Sequence, residues 1–114
     1  MSRAGEARLW LAQRISAGIL GVAVVVHLGT IIYAAHVGFS AAAIISRLHD
    51  NLLFATFYFV FVAAAAVHAP IGLRAVIAEM TAWRGRSLNV AAVAFALLLF
   101  ALGAHAVLLL TAGV

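Results

Sequence analysis

The sequence predicts an all-α integral membrane protein, with three transmembrane helices in a single domain and the N-terminus on the cytoplasmic side. Three observations carry this. Hydrophobic residues make up 68% of the 114-residue chain and charged residues 9%, with mean hydropathy +1.21. A soluble domain carries about a quarter of its residues charged, so a bilayer must cover this one. The apolar residues fall into three runs, each long enough for the about 20 residues that cross hydrocarbon as a helix. Finally, the basic residues are all arginine and collect at the ends of those runs. The net charge of +4 therefore reads as topology and headgroup contact, not as nucleic-acid binding.

The polar stretch 1–8 is expected at the membrane surface, and the first span at about 9–35. A secretory signal does not account for that first run, which is too long and is followed by two more. Within it lie Gln13, Arg14, Ser16 and His27, and Ala17 and Gly21 form a small-xxx-small pair where a helix or flat ligand can approach. Residues 36–50 connect to the second span, with Ala42, Ile45 and Leu48 at the spacing of a short interfacial helix. The second span, about 51–78, opens with the aromatics Phe54, Phe57, Tyr58, Phe59 and Phe61. It continues through Ala63–Ala66 to His68, and Pro70 should kink it there. A short loop, 79–87, offers Trp83 as an interface anchor and Ser87 as the N-cap of the third span, about 88–111. All of 1–114 then forms one domain.

Arg3, Arg8 and Arg14 flank the start of the first span, and Arg74, Arg84 and Arg86 flank the second connection, against Arg47 alone in the first. The positive-inside rule puts the N-terminus and second connection in the cytoplasm. At a rise of about 1.5 Å per residue, His68 lies about 15 Å from the cytoplasmic end, and His27 and His105 about 25 Å.

There is no cysteine, so thiolate metal sites and iron–sulfur ligands are excluded and a redox centre must rest on histidine or methionine. A polar group unpaired in hydrocarbon costs several kcal/mol, roughly, so a deep imidazole needs a partner. Axial bonding to haem iron supplies one, leaving the other ring nitrogen for a carbonyl or hydroxyl. Gly72, one turn from His68, would make room for a porphyrin, and Arg14 and Arg74 lie where they could reach its propionates. A carbonyl on a neighbouring helix serves a lone histidine equally well, and arginines near span ends also snorkel to the interface. Spacing leaves both readings open.

Two stretches add a resemblance. His68-x3-Gly72-Leu73-Arg74-x4-Glu79 and Trp10-x2-Gln13-Arg14-Ile15-Ser16-Ala17 resemble the second- and first-helix motifs of the cytochrome b membrane anchor subunits of succinate dehydrogenase and fumarate reductase, the complex II family. The resemblance implies a haem b-binding anchor that holds a flavoprotein and an iron–sulfur subunit at the bacterial cytoplasmic membrane and helps build a quinone site. His68 would be an axial ligand of the haem iron. Arg14, with Ser16 assisting, would lie near quinone or propionates, and Arg74 would contact a propionate or a subunit. Val26-His27-Leu28 resembles the first-helix ligand of two-haem members, so there would be one haem or two, shared with a second anchor chain, with His105 a weaker partner for His27. Trp10 stands where the large anchor has serine, and Glu79-Met80 replaces the small anchor's Asp-Tyr, which removes that quinone tyrosine. The rivals are a cytochrome b anchor of another respiratory dehydrogenase, which usually needs more histidines, and a small multidrug-type transporter protomer. The latter needs a carboxylate within a span, and none is expected here.

Overall fold

The computed structural model describes residues 2–113, which form four helices and, among the described residues, no strand. Helix α1 spans Arg3–Val37, α2 Ala41–Leu48, α3 Leu52–Met80 and α4 Arg86–Ala112. Three are long and apolar enough to cross a membrane. At 35, 29 and 27 residues, α1, α3 and α4 extend about 52, 43 and 40 Å, each beyond the about 30 Å hydrocarbon core.

Each of the first three helices begins on a side-chain cap. Ser2 accepts from the Gly5 amide at 3.0 Å, Ser40 from Ala43 at 3.1 Å, and Asn51 from Phe54 at 3.2 Å. These caps satisfy amides that have no partner within the helix. The capped start at Arg3 makes most of the polar 1–8 segment helical, because arginine and glutamate are good helix formers wherever water can reach them. The third span differs from expectation: Ser87 does not cap it. The helix starts at Arg86 behind Gly85, whose φ of 88° suits glycine, and Ser87 Oγ instead accepts from Trp83 Nε1 at 2.8 Å.

Helix α3 is the middle element, flanked by α1 on one side and α4 on the other. It runs without interruption through Pro70, which is buried. Small residues bring α3 and α4 together. Ala66 is buried and shares a small pocket with Ala92 and Ala96 of α4, and a Cβ on Gly103 would lie 2.5 Å from Val62 Cγ1. Gly18, Gly21 and Gly29 on α1 have nothing within 4 Å of the position of a Cβ, so the Ala17/Gly21 stripe faces out of the chain.

The bend into α3 is tied to the far end of α4. The amide of Asp50, a residue with φ 56°, donates to the Thr111 carbonyl at 2.7 Å. Helix α2 therefore lies across the end of the bundle opposite the N-terminus.

Candidate functional site

Each expected site residue can be placed from its helix upward. His68 is half-buried on the side of α3 that meets α1. Its Nδ1 lies 3.4 Å from Oγ of Ser16, which is only 4% exposed. The Ser16 hydroxyl donates its one hydrogen to the Gln13 backbone carbonyl at 3.1 Å. Its oxygen is then an acceptor for His68, so the network assigns the imidazole proton to Nδ1 and leaves Nε2 a bare lone pair. An imidazole in that state can bond a metal through Nε2 while the serine holds its ring.

Gly72 does not clear the space expected of it. A Cβ there would lie 3.2 Å from Gln13 Nε2, so the glycine seats the Gln13 amide. Gln13 Oε1 is buried and has no hydrogen-bond partner. Sequence reasoning used Gln13 only as part of a motif; a lone glutamine deep in an apolar span was the signal.

The two arginines stand apart from this seam. At about 100° per residue, Arg14 points about 160° round α1 from Ser16. It is exposed, with its guanidinium carbon 5.6 Å from the Trp10 ring centroid. Arg74 lies about 120° round α3 from His68 by the same geometry. Its Nε donates to Asn89 Oδ1 at 2.7 Å, which ties it to α4. Asn89 is a polar residue near the start of an apolar span.

His27 sits in the other half of the bundle, about 16 Å further along α1 than Ser16. It lines a cavity of about 940 Å³, walled by Gly29 and Thr30 of α1, Tyr58 of α3 and Ala106 of α4, with Leu48 of α2 at its end. Its Nδ1 is 2.9 Å from Tyr58 Oη. Thr30 Oγ1 donates to the His27 carbonyl at 2.7 Å and lies 3.4 Å from the same phenol. Edge-on contacts with Tyr58 and Phe61, both at 5.7 Å between centroids, fix the plane of the imidazole. In the sequence Tyr58 stands only as one of a run of aromatics; its signal was the one hydroxyl among phenylalanines.

His105 is exposed and does not line this cavity, so the chain does not bring it together with His27. Among the described residues no three histidine, aspartate or glutamate side chains converge to hold a metal ion.

No curated protein and no solved structure matches the chain. The family model for the succinate dehydrogenase/fumarate reductase transmembrane subunit does, over residues 3–110. With three membrane-length helices and the two motifs in contact across α1 and α3, this integral membrane protein belongs to the succinate dehydrogenase/fumarate reductase transmembrane subunit family, a membrane component of complex II.

Proposed function

We propose that the chain is a haem b-binding anchor of a succinate:quinone or quinol:fumarate oxidoreductase. It holds the flavoprotein and iron–sulfur subunits at the bacterial cytoplasmic membrane, N-terminus inward, and shares its haem and quinone site with a second anchor subunit. The observation that carries this is the Ser16–His68 contact, which leaves His68 Nε2 as an uncommitted donor atom within a span.

In this reading His68 holds the iron through Nε2, and the haem, when bound, supplies a one-electron centre. Ser16 accepts from Nδ1–H, which keeps the ring in the ligating tautomer and raises its basicity. Arg14 supports the reading by where it stands. Its exposed guanidinium, beside the outward Ala17/Gly21 stripe, is available to a propionate or a quinone oxygen where the second anchor packs. Arg74, held by Asn89 and turned towards α4, is assigned to a subunit contact. Gly72 acts indirectly, by seating Gln13.

The test is the reduced-minus-oxidised spectrum of the purified complex. His68→Ala should abolish the b-type α band while the four subunits still co-purify. A wild-type complex without a b-type band, or a variant spectrum unchanged from wild type, would remove the assignment.

A further inference from the structure

His105 is the histidine that the chain leaves without a polar neighbour. Nδ1 of His27, His36 and His68 lies against a hydroxyl or a carbonyl, and His49 Nε2 lies 3.4 Å from Asp50 Oδ2. Among the described residues nothing serves the His105 ring, although apolar residues 106–110 still follow it in α4. An imidazole turned to acyl chains there would leave both nitrogens unpaired, which hydrocarbon penalises. Its neighbours on the helix surface form a pattern. Ala94, Leu98, Ala101, His105, Leu108 and Ala112 recur at alternating steps of four and three, and all six are exposed. At about 100° per residue, the midline of this stripe lies about 180° round α4 from Gly103, which meets Val62 of α3. The stripe is therefore a heptad seam with no helix of this chain against it.

We propose that a second copy of the chain packs on this seam, two-fold related, with the two His105 side chains hydrogen-bonded to each other. Copies of one chain insert in one orientation, so a two-fold axis between them runs along the membrane normal. Each residue near that axis then meets its own equivalent. A polar residue on such a seam must satisfy itself. A neutral imidazole can, because it carries one donor and one acceptor, whereas a carboxylate or guanidinium set against itself would repel. Ala94 and Ala101 let the backbones approach, and the imidazole pair sets the register, as one polar residue does in a coiled coil. The second anchor of the proposed complex takes the α1 side of α3, which leaves α4 free on the opposite flank.

The experiment uses the whole complex in lipid. The chain has no cysteine, so Ala101→Cys puts its only thiol on the seam. Val93→Cys puts it about 100° away on α4, at a position also exposed. Oxidation with copper phenanthroline should join two copies of this chain through position 101 and not through 93. Joining through neither, through both equally, or to another subunit overturns the proposal. Sedimentation of the complex over a dilution series then measures the pair, and a single complex at every concentration overturns it too. His105→Leu should raise the dissociation constant about threefold to thirtyfold, the range for a hydrogen bond between membrane helices. His105→Asn, whose amide also donates and accepts, should restore most of that loss. Equal dissociation of wild type and the leucine variant overturns the role of the imidazole. The b-type band assigned to His68 should be unchanged in all four variants, so this result and the haem reading stand or fall separately.

Discussion

Two of the histidines within the apolar helices, His68 and His27, each have a hydroxyl at Nδ1, and the two hydroxyls are set differently. Ser16 gives its hydrogen to its own helix and accepts from His68. Tyr58 Oη lies between His27 Nδ1 at 2.9 Å and Thr30 Oγ1 at 3.4 Å, while Thr30 gives its hydrogen to the His27 carbonyl. The first hydroxyl has spent its hydrogen and can only accept from its imidazole, whereas the second can donate or accept. The surroundings differ in the same sense. His68 lies in a close seam between α1 and α3, whereas His27 lines a half-open cavity walled by residues of all four helices. Depth and residue type therefore do not distinguish the two imidazoles; the hydroxyl beside each Nδ1 does.

The contrast can be broken most decisively with one pair of variants. His68→Ala should remove the b-type absorption of the complex altogether, and His27→Ala should leave it intact. Loss of the band in both would mean that the two imidazoles serve one chemistry.

Packing differs between the halves as well. Gly103→Ala puts a methyl 2.5 Å from Val62 Cγ1 in the α3–α4 contact. Overpacking of this kind costs about 1–3 kcal/mol, visible as a lower thermal midpoint of the complex, and Val62→Ala in the same chain should restore most of it. Gly72→Ala meets only the end of a flexible amide at 3.2 Å and should cost clearly less.

Next in size is Tyr58→Phe. It leaves His27 Nδ1 unserved in an apolar setting, at about 1–3 kcal/mol, and thermal denaturation should register it. Ser16→Ala breaks a longer contact, 3.4 Å against 2.9 Å, and should lower the midpoint less. The smallest effect sharpens the seam. Gln13→Leu removes a buried oxygen that has no partner, so the midpoint should hold or rise slightly. A fall of several degrees would show that Gln13 is served by a group from another chain.

The three spans were legible because hydropathy reports what a bilayer demands of side chains. Their ends were less so. Hydropathy stops where lipid stops, at Leu9, but backbone hydrogen bonding carries α1 back to Arg3 and its Ser2 cap. The short interfacial helix was legible from the spacing of Ala42, Ile45 and Leu48, and it forms over Ala41–Leu48. At the site, the motifs marked His68 and Ser16, whose side chains meet although 52 residues separate them. What could not be read was rotation about each helix axis. That angle separates Arg14 and Arg74 from His68, turns His105 outward, and joins Tyr58 to His27 across 31 residues. No linear spacing encodes it, because it is set by which small residues let the helices touch.

The bond from the Asp50 amide to the Thr111 carbonyl fastens a loop in one part of the chain to the last turn of another. Carbonyls at a helix C-terminus lack partners within the helix, so here an open valence becomes a clasp. Beside it His49 Cε1 would lie 3.7 Å from a Cβ on Gly113. Helix α2, which closes one end of the cavity at His27, is thus moored through the following loop to the tail of α4, so loosening that tail should disturb the cavity before it reaches the seam at His68.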